Sequence, residues 1–162
     1  MFTLLPKITP FLWYDNQAQA AAELYIRVLG QGRLVGEQRW GEGSPYPAGS
    51  VMAVHLALHG QPLIAFNGGP HFKLNEAASL FVICDTPAEL DRVWDGLTAD
   101  GGAAGQCGWL KDPFGLSWQV VPRAYLQMMS DSDGARVARV MQAMMALGKL
   151  DIAVLQRAYD SP

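Results

Sequence analysis

Two stretches of the chain, TPFLWYDNQAQAAAELYIRVL at residues 9–29 and SLFVICDTPAELDRVWDGL at residues 79–97, decide the fold. Each begins with a short apolar run, continues through an aspartate and ends in a pattern with helical spacing. Asp15 matches Asp85, so the two copies lie 70 residues apart. Because an internal repeat constrains the architecture more strongly than any other sequence feature, we predict a duplicated module that starts with a strand and a helix.

Turn signals and apolar alternation divide the rest of each copy into three further strands. The predicted fold class is therefore α+β, with two tandem βαβββ modules and a helical C-terminal extension. We expect a single domain, 1–162, made of module one 7–66, a linker loop 67–78, module two 79–122 and a helical tail 123–162. The predicted strands are 7–14, 34–40, 51–58 and 61–66 in module one and 79–84, 103–107, 109–111 and 116–121 in module two.

The helix of each module has a predicted N-cap. In module one, Asp15 or Asn16 can accept a hydrogen bond from a free backbone N–H of the first turn. In module two, Asp85 or Thr86 takes this place. Glu89 follows Thr86 by three residues, which is the spacing of a capping box.

Composition excludes several classes of function. The chain has 162 residues, of which 50% are hydrophobic and 17% charged, and its net charge is −3. No basic run is present, so we expect no nucleic-acid partner. No apolar run approaches the roughly 20 residues of a membrane span, and the stretch 1–14 has no signal-peptide pattern. With only Cys84 and Cys107, no disulfide framework is expected, and a cytoplasmic location fits best.

The tail has its own apolar pattern. The segment 130–133 is a cluster of capping residues, and helices are predicted at 135–147 and 150–159. One stripe of the first helix is apolar and consists of Val137, Val140, Met141, Met144 and Met145. A short amphipathic helix needs a packing partner, so we expect this stripe to be buried against the sheets or a second subunit.

Five segments carry a family resemblance, namely KITPFLWY (7–14), AGSVM (48–52), FNGGPHFKLNEA (66–77), GQCGWLKDPFGLSWQVVP (105–122) and VMQAMMALGKLDIAVLQ (140–156). Together with the duplicated module, they resemble the PhnB-like family of the vicinal oxygen chelate superfamily, which includes glyoxalase I and extradiol dioxygenases. This family is often labelled 3-demethylubiquinone-9 3-methyltransferase. The resemblance implies two modules whose sheets each half-close a cup, and a homodimer.

The resemblance also implies where a metal would sit. Metal-dependent members of the superfamily place a histidine on the first strand of a module and a glutamate on its last strand. The corresponding residues here are Thr9, Ser79 and Gln119. Hydroxyls and an amide are poor ligands for transition metals, so we expect no metal at these positions. A relocated site that pairs His55 with Glu76 is the alternative.

The methyltransferase label implies a binding site for S-adenosylmethionine. Common S-adenosylmethionine enzymes need a glycine-rich turn between a strand and a helix. Gly68-Gly69 follows a predicted hairpin arm without a helix behind it, and Gly101-Gly102 follows a helix. We therefore expect no cofactor and do not infer methyl transfer.

Besides a metalloenzyme with relocated ligands, two hypotheses for function stay open. The first is a metal-independent protein that binds a small organic molecule in the cup, with Trp13, Asn67, Phe72, Trp109 and Gln119 as ligand-binding residues. The second is a lyase, isomerase or transferase. Its candidate catalytic residues are His71, Lys73, Glu76 and Cys107. The sequence does not decide between them, because the loop 66–77 also fits a polar linker and Cys107 also fits an inert thiol.

Overall fold

The computed structural model describes residues 5–162, which fall into two compact units, one ending at Leu74 and one running from Asn75 to Pro162. The boundary lies inside the predicted linker loop. Residues 1–4, part of the stretch in which no signal peptide is expected, lie outside the described range. Across residues 5–162, no helix is both long enough and apolar enough to cross a bilayer.

The first unit is the predicted βαβββ module. Its elements are β1 (Phe11–Tyr14), α1 (Ala18–Leu29), β2 (Gly32–Arg39), β3 (Val51–Leu58) and β4 (Gln61–Asn67). The strands form one sheet in the order β1-β4-β3-β2. The β1 strand runs parallel to β4, and the other neighbouring pairs are antiparallel.

Helix α1 covers one face of this sheet and thereby builds the core. Its buried residues include Ala21, Ala22 and Tyr25, and the strands contribute Val54 and Leu56. Fully burying a leucine or valine side chain contributes about 1.5–3 kcal/mol relative to leaving it exposed. Because successive side chains of a strand point to opposite faces, the residues between these core positions lie on the face away from α1.

The cap of α1 differs from the prediction. Neither Asp15 nor Asn16 caps the helix, and the residue at the N-cap, Gln17, makes no capping hydrogen bond with its side chain. The Oδ1 atom of Asn67, at the end of β4, accepts from the backbone N–H of Ala18 at 2.9 Å. The predicted capping by Thr86 and Glu89 in the second unit is confirmed, because Glu89 N donates to Thr86 Oγ1 at 3.1 Å. The return bond comes from the residue before the N-cap, since Asp85 N donates to Glu89 Oε2 at 2.7 Å.

The second unit repeats the module. Its elements are β5 (Ser79–Cys84), α2 (Pro87–Thr98), β6 (Ala103–Ala104), β7 (Trp109–Lys111) and β8 (Ser117–Pro122). The sheet order is β5-β8-β7-β6, with β5 parallel to β8. Helix α2 buries Leu90, Val93, Trp94 and Leu97.

Two strands are shorter than predicted. The first strand begins at Phe11 and not at Lys7, because Pro6 and Pro10 cannot donate to a ladder. The predicted strand 103–107 ends at Ala104. Beyond it the chain makes a tight turn in which Cys107 has a positive φ of 58°.

The tail forms α3 (Arg123–Met129), α4 (Gly134–Met145) and α5 (Ile152–Asp160); the first of these was not predicted as a separate helix. A small core joins the tail to the end of β8, and its buried members are Val121, Met128, Val140, Leu150 and Leu155. Within the chain only part of the stripe is buried, because Val140 is fully buried whereas Met141 is 44% exposed and Met145 is 66% exposed. Burial of the remaining methionines against a second subunit stays a prediction. Helix α4 packs on α3 and α5, and Met141 is about 100° around the helix from Val140.

Candidate functional site

Six aromatic side chains of the first unit form one group, the aromatic cluster, which consists of Phe11, Trp13, Trp40, Tyr46, Phe66 and Phe72. The strand register explains why the central rings of this cluster meet. Trp13 on β1 lies beside Phe66 on β4, and both face away from α1 because they alternate with Tyr14 and Ala65.

Phe66 lies at the centre of the cluster. Its ring centroid is 5.2 Å from that of Phe11, 5.1 Å from that of Trp13 and 6.0 Å from that of Trp40. Trp13 also meets Phe72 edge to face at 5.0 Å. These separations lie in the range where aromatic pairs attract each other beyond simple burial.

Two glycines hold the cluster in place. A side chain at Gly68 would overlap the ring of Trp13, and a Cβ at Gly69 would come within 2.6 Å of the hydroxyl of Tyr46. The carbonyl of Gly69 accepts from Trp13 Nε1 at 2.9 Å, and that of Gly68 accepts from Tyr46 OH at 2.6 Å. Both glycines are therefore required for the close approach of a ring.

The same glycines have no free backbone donors for a phosphate or a cofactor. Gly68 N donates to Tyr14 O at 2.9 Å, and Gly69 N donates to Asp15 O at 3.0 Å. Gly102 is explained by packing, since a Cβ there would collide with the backbone of Leu97 and Thr98. These residues do not fit the glycine-rich turn that binds S-adenosylmethionine.

The structure brings together two of the predicted ligand-binding residues, Trp13 and Phe72. Asn67 belongs to the same unit, but its amide caps α1 and donates to Val51 O at 3.0 Å. Phe11 and Phe66 were not among the predicted ligand-binding residues. The spacing of Phe11 and Trp13 could have suggested the first of these, because residues two apart on a strand share a face.

The second unit carries the other two predicted ligand-binding residues. Trp109 on β7 lies in register with Gln119 on β8, and Gln119 Nε2 donates to Ser79 Oγ at 2.9 Å. Lys111 donates to the carboxylate of Glu76. This hydrogen bond holds the pKa of Glu76 below its ordinary value, so Glu76 is an anion at neutral pH.

The three positions that correspond to metal ligands do not fit a metal. Ser79 and Gln119 are hydrogen-bonded to each other. The hydroxyl of Thr9, in the first unit, donates a hydrogen bond to Pro6 O at 3.2 Å. Within residues 5–162, no group of three or more His, Cys, Asp or Glu side chains could hold a metal ion. His55 is buried on β3, and burial lowers its pKa.

The candidate catalytic residues lie in different surroundings. His71 and Lys73 are exposed at the end of the first unit, whereas Glu76 and Cys107 belong to the second. Cys107 is half-buried beneath the tail, where its backbone N–H donates to Leu147 O at 2.7 Å. Each unit therefore carries two of the four candidate residues.

The comparisons with known proteins agree with this architecture. The profile of the family described as 3-demethylubiquinone-9 3-methyltransferase matches residues 6–121, so the match ends before the helical tail. No curated protein gives a significant match.

Two solved structures illustrate the similarity. A PhnB protein from Bacillus cereus, which carries the same methyltransferase description, is 30% identical, with a TM-score of 0.66 over 72% of this chain and 99% of that one. Protein PA1353 from Pseudomonas aeruginosa is 24% identical, with a TM-score of 0.59 over 73% of this chain and 98% of that one, and it supports the fold alone. The chain belongs to the PhnB-like family of the vicinal oxygen chelate superfamily.

Proposed function

We propose that the protein binds a small aromatic molecule at the aromatic cluster of its first unit, without a metal. One observation carries this proposal: the rings are fixed by packing, yet Phe11 is 55% exposed and Phe72 is 66% exposed. Exposed aromatic groups that gather in one place are typical of a binding surface, and preorganised rings lose little entropy when a planar ligand stacks on them.

The hydrogen bonds of the cluster support an apolar, planar ligand. The indole N–H of Trp13 and the hydroxyl of Tyr46 are both engaged by glycine carbonyls. The cluster therefore offers ring faces and edges to a ligand and few polar groups. Ring pairs of this kind contribute about 0.5–1.5 kcal/mol each beyond burial.

Methyl transfer is not part of the proposal. The family's printed description names a methyltransferase, but the glycines that could approach a cofactor already hold Trp13 and Tyr46. The alternative remains an enzyme that uses His71, Lys73, Glu76 or Cys107, or a metalloenzyme with relocated ligands. Conversion of the bound molecule, or metal at one equivalent per chain, would favour these alternatives.

The test is a titration of the ¹⁵N-labelled protein with 2-naphthol, a neutral planar probe, followed by NMR. We expect saturable shifts at Trp13 Nε1–H and at the backbone amide of Phe72. Phe72→Ala should weaken binding about 3- to 10-fold, the value of one lost ring contact. Phe81→Ala is the matched control, because Phe81 is comparably exposed at 49% but belongs to the second unit.

Two results would overturn the proposal. One is that Phe72→Ala and Phe81→Ala weaken 2-naphthol binding equally, and the other is that 2-naphthol causes no saturable shift at Trp13. Either would mean that the probe binds elsewhere or not at all. Because Phe72 is on an exposed segment, its truncation leaves the core intact, and the two variants can be compared as folded proteins.

We further propose a cytoplasmic homodimer. Both cysteines are unpaired, which suits a reducing compartment. The exposed side chains of Met141 and Met145 on α4 supply apolar surface suited to a second subunit. Sedimentation of the purified protein at one chain's mass at all concentrations would contradict the dimer.

A further inference from the structure

Three residues on neighbouring strands of the second sheet form a polar row. Ser79 on β5 lies in register with Ser117 on β8, and Ser117 lies in register with Lys111 on β7. Because they are in register, they share one face of the sheet, opposite to the face that carries Leu110 and Trp118.

Ser117 is the unusual member of this row. It is 1% exposed, and its Oγ has no hydrogen-bond partner among residues 5–162. An unsatisfied hydroxyl in the interior destabilises the folded state. Such groups are rare in native structures, so this hydroxyl is a candidate to take a partner from outside the chain, either water or a ligand.

Lys111, next to it in the row, forms an exposed ion pair. Its ammonium donates to the carboxylate of Glu76, and the two side chains are 39% and 66% exposed. Exposed pairs of this kind contribute little to stability because water competes for both charges. Another carboxylate can therefore replace that of Glu76 at Lys111.

We propose that Lys111 and Ser117 bind the carboxylate of a small organic acid, and that Glu76 is the internal carboxylate which the ligand displaces. A carboxylate has two acceptor oxygens. One takes the charged hydrogen bond from Lys111, and the other satisfies the hydroxyl of Ser117. The site uses residues of the second unit alone and is independent of the aromatic cluster.

The chemistry favours a carboxylate over a phosphate. One ammonium and one hydroxyl match the two oxygens and single charge of a carboxylate, whereas a phosphate brings more oxygens and nearly two charges. The carboxylate that Lys111 already holds, that of Glu76, is a second indication of the preferred group.

The experiment is an NMR titration of the ¹⁵N-labelled full chain with butyrate, with butyramide as the neutral isostere. We expect butyrate to shift the amide signals of Lys111 and Ser117 and butyramide to leave them unchanged. Lys111→Met should weaken butyrate binding by about tenfold or more, because it removes a charged hydrogen bond. Glu76→Gln should strengthen binding, because it removes the competing anion.

Ser117→Ala separates a binding role from a structural one. We expect it to weaken butyrate binding several-fold while raising the melting temperature, because it removes an unsatisfied hydroxyl. Lys149→Met is the matched control. Lys149 is another partly exposed lysine of the same unit, paired with Asp91 at 2.6 Å, and its removal should leave binding unchanged.

Three results would overturn the proposal: no saturable shift with butyrate, equal binding of butyramide, or weaker butyrate binding in Glu76→Gln. Inorganic phosphate shifting the same signals at lower concentration than butyrate would overturn the choice of a carboxylate. None of these outcomes bears on 2-naphthol binding, so this proposal and the proposed function fail separately.

Discussion

The side chain of Asn67 joins the end of one strand to the start of a helix far from it in sequence. Its Oδ1 accepts from the backbone N–H of Ala18 at 2.9 Å, and its Nδ2 donates to Val51 O at 3.0 Å. One buried amide thus satisfies a free donor of α1 and a carbonyl at the start of β3. The two bonds also place β4, which leads directly into the glycine pair of the aromatic cluster.

Asn67→Ala should lower the free energy of unfolding by about 1–3 kcal/mol, because it removes a helix cap and leaves buried groups without partners. Denaturation by urea measures the loss. The control is Asn16→Ala, at an exposed position where we expect a change within about 0.5 kcal/mol. Equal losses in the two variants would contradict the role of Asn67 as the cap.

Gly68→Ala should disturb the aromatic cluster, because the added Cβ would overlap the ring of Trp13. Near-ultraviolet circular dichroism should change, and stability should fall by about 1–3 kcal/mol, the cost of overpacking a filled site. Gly41→Ala is the control, since a Cβ there meets nothing within 4 Å. An unchanged aromatic spectrum in Gly68→Ala would show that Trp13 is not held against this glycine.

Val140 and Met141 are neighbours on α4 with opposite surroundings, since Val140 is fully buried and Met141 is exposed. Val140→Asp should destabilise the chain by about 3 kcal/mol or more, because it buries a charge without a partner. Met141→Asp should change the stability of the single chain by less than about 1 kcal/mol. Sedimentation of Met141→Asp additionally shows whether this surface joins two subunits.

The tail contains a hydrogen bond from the hydroxyl of Tyr159 to the carboxylate of Asp131. The backbone N–H of Asp133 and the hydroxyl of Tyr159 hold the pKa of Asp131 below its ordinary value of 3.8. A lowered pKa in the folded state stabilises the fold above the ordinary value, and this stabilisation is lost as the pH falls through the folded-state pKa.

Tyr159→Phe should therefore be less stable than the native protein at neutral pH, and the difference should shrink as the pH falls below about 4. Thermal unfolding over a series of pH values measures it. In an Asp131→Asn background, the same substitution should have an effect that does not depend on pH in this range. If the stability difference between Tyr159→Phe and the native protein were constant from pH 7 to pH 2, Tyr159 would not be lowering the pKa of Asp131.

Local signals in the sequence predicted the elements that depend on neighbouring residues. The capping of α2 uses Thr86 and Glu89, which lie within four consecutive residues, and it is confirmed. The cap of α1 comes from Asn67 and could not be read from residues 15–17. The unsatisfied hydroxyl of Ser117 was missed for the same reason, because its burial depends on the folded surroundings and not on the residues beside it.

The two copies of the module consequently differ in how their helices can start to form. Helix α2 has its cap within its own first turn, so its beginning can be ordered as soon as that segment is available. Helix α1 is capped by Asn67, which lies 49 residues after Ala18. Closing such a loop is slower than forming a local turn. We therefore expect the duplicated halves to differ in folding order, with the second able to start at its helix and the first gaining its helix cap only once β4 is in place.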